Sequence, residues 1–122
     1  MAIRLMTLEE LIGHDVYELI YAHRWGERLP HAMQVAAFWT ADNRYLSDDN
    51  DGQGIDALAP ALSQVCPVFN WYGPNRLLLS QWRAVEAIHC RDHSEDRPFF
   101  QAVDCWLEEG NRGAGWFWLM GP

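Results

Sequence analysis

The sequence predicts an α+β fold, with about four helices and a small sheet of short strands in a single globular domain over residues 1–122. Three observations predict it. Several stretches carry apolar residues at helical spacing, with capping signals at their ends. Short apolar and aromatic runs bounded by Gly, Pro, Asn or Asp alternate with them, as strands require. An apolar fraction of 49% with seven tryptophans can build a core and excludes wholesale disorder. The alternative is an all-α fold, in which the aromatic runs are connections or further helices.

Residues 2–6 form a short apolar run interrupted by Arg4, compatible with a first strand. Thr7 and Glu10 have the spacing of a capping box, so a short helix follows and breaks at Gly13. Asp15 can cap a second helix, with Val16, Leu19, Ile20 and His23 on one face, ending by Gly26. Residues 31–46 fit a helix or a hairpin. A strand at 35–40, the turn Ala41-Asp42-Asn43 and a strand at 44–46 is the preferred assignment. Residues 47–56 form an acidic, glycine-bearing loop. Helix signals resume over 57–65, with Pro60 near the start, and 67–72 suits a strand.

Residues 73–92 form the organising helix. Leu77, Leu78, Trp82, Val85 and Ile88 gather on one face, while Ser80, Arg83, Glu86 and Cys90 fall on the other. A charged connection leads to Asp96 and Pro98, which open a last helix. Phe99, Phe100, Val103, Trp106 and Leu107 share one of its sides, and Gly110 with Asn111 stops it. Residues 115–120 close the chain as an apolar strand.

Seventeen acids against nine bases give a net charge of −8, which opposes direct binding to nucleic acid or an anionic membrane. All nine bases are Arg, so no lysine is available for a Schiff base or a phosphate loop. Cys66, Cys90 and Cys105 are odd in number with no close pairing, as reduced thiols of a cytoplasmic protein would be. No leader opens the chain and no apolar run approaches ~18 residues, so a soluble, unsecreted protein is expected.

Four constellations carry possible chemistry. Asp49 and Asp51, ahead of Gly52, match the first half of a calcium loop. The second half fails, because Pro60 stands where a bidentate Glu belongs. His89 and His93 lie one turn apart if the helix continues, and with Cys105, His23 or a carboxylate such as Asp49 or Asp51 they would form a metal site. A partly buried histidine at a helix end is the simpler account of His89. No serine sits in a nucleophile elbow, and no Cys–His pair or glycine-rich phosphate cradle is marked. Neither a catalytic residue nor a cofactor is therefore expected.

The fourth constellation is a surface. Asp48, Asp49, Asp51 and Asp56, flanked by Tyr45, Trp71 and Tyr72, would present carboxylates rimmed by aromatic anchors to a basic protein. Trp25 is a further aromatic of this kind, and Asp42, the acids of 92–96, Asp104, Glu108 and Glu109 could extend the negative patch. Net negative charge also keeps a Trp-rich domain soluble, and that alone would account for the acids. The expected function is protein–protein binding, in its sharpest form an inhibitor or immunity-type protein blocking a basic surface on a nuclease, toxin or defence complex. A metal-dependent enzyme using His89 and His93, or a homodimeric structural subunit, are the alternatives.

Overall fold

The computed structural model describes residues 2–11, 16–24, 38–48 and 52–122. Its centre is made by two strands with apolar residues on both faces, the mark of strands buried inside a sheet. β1 (Val16–Tyr21) and β4 (Trp116–Met120) pair antiparallel, with Leu19 opposite Leu119, Ile20 opposite Trp118 and Tyr21 opposite Phe117. β2 (Arg44–Ser47) flanks β1 and β3 (Pro74–Leu78) flanks β4, giving the order β2-β1-β4-β3, antiparallel throughout.

Among the described residues three helices, rather than about four, complete the α+β fold: α1 (Ile55–Val65), α2 (Leu79–Asp92) and α3 (Arg97–Gly110). Their buried faces join Tyr17, Leu19, Tyr21, Leu46, Leu77, Phe117 and Leu119 from one face of the sheet in one core. Ile20 and Trp118 are buried on the other face, with Phe38, Trp116 and Met120 against them. The three cysteines are free: Cys90 is buried, Cys66 half-buried and Cys105 exposed.

Where periodicity or capping was unambiguous, expectation and structure agree. α3 begins after Asp96 with Pro98 in its first turn, buries all five expected residues and stops at Asn111. β4 occupies the terminal apolar run. The Thr7–Glu10 box forms around a single turn, Leu8–Glu10: the Glu10 carboxylate accepts the Thr7 N–H at 2.8 Å and an Arg4 N–H at 3.0 Å. These bonds, the Thr7 amide first, hold its carboxyl down at about 2.

Other elements differ, each for a physical reason. The expected second helix is β1 followed by a single turn, Ala22–Arg24. Tyr17, Leu19 and Tyr21 alternate as a strand face, and Ile20, apolar and buried on the opposite face, hides that alternation in the sequence. The organising helix starts at Leu79, because 74–78 pairs along β4. Leu77 is still in the core, but as a strand residue, and Leu78 is exposed. Cys90 and His89 share the buried side of α2 with Trp82 and Val85, and Ile88 packs half-buried against the same core.

Residues 67–72 are turns rather than a strand, and Val68 and Tyr72 stand out of them. α1 starts at Ile55, ahead of Pro60, which sits inside the helix and is exposed. A Cβ at Gly54 would collide with the Ser47 carbonyl, so only glycine lets the acidic loop turn into α1 there. The expected turn at 41–43 forms, with the Asn43 N–H on the Thr40 carbonyl at 3.2 Å, but β2 pairs with β1 instead of closing a hairpin. Phe38–Thr40 is not a strand, and 35–37 lies outside the described residues. The start of the chain makes one bridge, Met6 to Tyr45, on the outer edge of β2.

Candidate partner-binding surface

Antiparallel pairing brings the start of β1, the end of β2, the start of β3 and the end of β4 to one end of the sheet. Asp48, just after Ser47, and the aromatic loop before Pro74 therefore lie toward the same end of the sheet, although far apart in sequence. Tyr17 joins them. Its hydroxyl donates to the Trp71 carbonyl at 2.7 Å, and its ring meets that of Trp71 edge-on at 6.5 Å. Burial pushes the hydroxyl up to about 12, with the Asp48 carboxylate and the Tyr72 hydroxyl adding to the shift. Asp48 and Tyr72 thus lie close enough to act on one group.

The aromatic loop is built to hold this presentation. Asn75 accepts the Asn70 N–H at 2.7 Å and donates to the Asn70 and Leu119 carbonyls at 2.7 and 3.1 Å. The Asn70 side chain accepts the Tyr72 N–H at 3.1 Å. Phe69 is buried beneath, with its ring 4.5 Å from that of Trp71. Gly121 lets β4 pass against the Trp71 carbonyl, which any Cβ would strike. With the backbone fixed in this way, Tyr72 is left 84% exposed and Val68 93% exposed. An ordered, exposed aromatic costs little further entropy to bind.

The structure divides the expected site residues. Asp48, Trp71 and Tyr72 come together, with Asp48 and Tyr72 exposed and Trp71 half-buried. Asp56 is half-buried and accepts the Gly52 N–H at 2.9 Å, closing the loop onto α1. Asp49, Asp51 and Trp25 lie outside the described residues. Tyr45 is fully buried on the other face of the sheet, so it is no rim anchor. Its hydroxyl is 3.1 Å from the Glu18 carboxylate, and the exposed Trp39 stacks on its ring at 5.8 Å.

The remaining acids scatter. Asp42 and Glu109 sit near Tyr21 at the opposite end of the sheet, where burial foremost pushes that hydroxyl up to about 12. Asp104 pairs with Arg83 at 2.7 Å. Asp96 is buried, its carboxylate 2.6 Å from His89 Nε2. His93 stacks on the His89 ring at 4.7 Å, and among the described residues no three His, Cys, Asp or Glu side chains are grouped to hold a metal. No described helix is long and apolar enough to cross a membrane.

Sequence patterns did not expose Glu18, a buried carboxylate in mid-strand. Its Oε2 accepts the Trp39 N–H at 2.7 Å and Asn43 Nδ2 at 2.7 Å. These bonds hold Trp39 at a φ of 54°, strained for a bulky side chain. Burial raises the Glu18 carboxyl, and the bonds from Asn43, Trp39 and Tyr45 only partly offset it. The folded state therefore keeps this proton to higher pH than the unfolded chain, and stability falls as pH rises through the raised value. Glu18→Gln retains an acceptor and removes the titration. Urea midpoints measured across a pH series should then fall less steeply for the variant than for the parent over that range.

Comparison with models of protein families, with curated proteins and with solved structures gives no match to this chain.

Proposed function

We propose that this protein is a non-catalytic, cytoplasmic binding protein that presents its acidic and aromatic end to a basic surface on another protein. In the sharpest form it is an inhibitor or immunity-type protein, covering a basic site on a nuclease, toxin or defence complex. One observation supports it above the rest: Asp48 and the exposed ring of Tyr72 gather at Tyr17 from loops distant in sequence. Carboxylates speed encounter with a basic partner and set its orientation, while a held aromatic supplies contact energy. A net charge of −8 acts in the same direction.

The test is capture of partners from native host extract on the immobilised protein, followed by salt elution. Replacing Asp48, Asp49 and Asp51 together by Asn should elute the partner at lower salt and slow its association. Tyr72→Ala should weaken binding by about tenfold or more, as truncating a hot-spot residue does. Asp48 and Tyr72 are exposed and Asn is nearly isosteric with Asp, so thermal midpoints should hold. Capture with unchanged salt dependence in both variants would overturn the proposal. Running the assay with and without calcium separates it from cation binding by the same acids.

A further inference from the structure

The helical side of the molecule carries a concentration of opposite charge. A groove of about 420 Å³ is lined by Arg83, Glu86, Ala87, Cys90, Arg91 and Arg97, five from α2 and one turn after another, with Arg97 opening α3. Three of the protein's nine arginines line it. The Cys90 thiol is buried, and the Arg97 charge is close enough to offset part of the rise that burial imposes on it.

The carboxylates nearby are already engaged. Arg83 bonds Asp104 at 2.7 Å and lies 3.7 Å from Glu86. Asp96 bonds His89, and Glu95 lies 3.3 Å from His93. Asp92, beside Arg91 in sequence, does not line the groove. Arg91 and Arg97 are exposed, and among the described residues no carboxylate lies within ion-pairing distance of either. In a chain with seventeen acids to nine bases, two neighbouring arginines left without an acid are a feature that charge balance does not supply. The positive end of the α3 dipole adds to the field where Arg97 begins that helix.

We propose that this groove binds a dianionic phosphate group, carried by a small phosphate ester or by a phosphorylated side chain, with Arg91 and Arg97 as the two arms of the clamp. Two uncommitted guanidinium forks match the charge of a phosphate monoester, about −1.5 to −2 at neutral pH, and its three terminal oxygens accept bidentate N–H pairs. The groove is open, which suits a phosphate presented at the end of a larger group.

The test is an NMR titration of the full chain at low ionic strength with inorganic phosphate, with an O-phosphoserine peptide and with the same peptide unphosphorylated. The expected result is saturable movement of the Arg91 and Arg97 Nε–H signals with both phosphate probes and none with the third. Arg91→Gln and Arg97→Gln should each weaken binding roughly tenfold or more, as loss of a charge-assisted pair does. Arg97→Lys, which keeps charge but not the fork, should fall between. Affinity should drop as the phosphate takes its second proton near pH ~6. Tighter binding of the phosphopeptide than of inorganic phosphate assigns the group to a modified protein, and equal binding assigns it to small esters. Both arginines are exposed, so unchanged thermal midpoints are expected and confirm that the variants fold. Movement that never saturates, or that persists in the doubly substituted Arg91→Gln/Arg97→Gln protein, overturns the proposal. None of Asp48, Asp49 and Asp51 lines the groove, so the triple Asn variant should bind phosphate normally whatever becomes of protein capture.

Discussion

Trp82→Ala is expected to destabilise the fold by ~3–5 kcal/mol, the range for deleting a buried aromatic side chain. Trp82 is 1% exposed and packs at 5.3 Å from the ring of Phe100, 5.6 Å from Phe117 and 6.2 Å from Phe99. It therefore joins α2, α3 and β4 in one contact, and the cavity left by Ala would open at their junction. A domain of this size has ~5–15 kcal/mol in total, so the loss should be plain in a urea midpoint. Trp82→Phe should cost less, because the indole Nε1 is buried without a hydrogen-bond partner among the described residues. Glu86→Ala, one turn along α2, removes only a 3.7 Å contact with a half-exposed arginine and should shift the midpoint little. Equal midpoints for Trp82→Ala and Glu86→Ala would refute the placement of α2.

Asp96→Ala is expected to be the second severe change, again ~3–5 kcal/mol, because it strips the partner from a buried polar pair. The side chains of His89 and Asp96 are each 4% exposed and meet at 2.6 Å. The other Asp96 oxygen accepts the Ile3 N–H at 2.8 Å, so one carboxylate ties α2 to the start of the chain. Removing it leaves a ring nitrogen and an amide without acceptors in a site closed to water. Hydrogen exchange should show the consequence before global unfolding does: the Ile3 amide should lose protection in Asp96→Ala and keep it in Asp96→Asn, which retains an acceptor oxygen. A double-mutant cycle with His89→Ala should be strongly non-additive, since the second change removes a group already orphaned by the first. Additive losses would show that the pair does not act as a unit.

The tie also explains why Asp96 behaves differently from the cap that its position suggests. Asp before a helix with Pro in its first turn reads correctly as a start signal, and α3 does start there. The carboxylate itself turns away to His89 and Ile3, residues that no local pattern connects to it.

What the sequence determined by itself was whatever short-range physics decides. The α3 stripe Phe99, Phe100, Val103, Trp106 and Leu107 has one helical solution, and all five are buried. The Thr7–Glu10 box, the stop at Asn111 and the apolar strand at the end are likewise complete within a few residues. Of the site, the sequence contained the acids and the aromatics. It could not say that Asp48 and Tyr72 both lie near Tyr17 while Tyr45 is sealed beneath Trp39. Those outcomes were decided by the tertiary structure. Val16–Tyr21 scores as a helix face until β2 and β4 hydrogen-bond along both of its edges. Leu77 and Leu78 continue a helical pattern until pairing with Phe117 and Trp116 takes them into the sheet. The physical reason is common to both. A strand's backbone is satisfied only by partners distant in sequence, so its register, and every loop that register brings together, exists only once the sheet has closed.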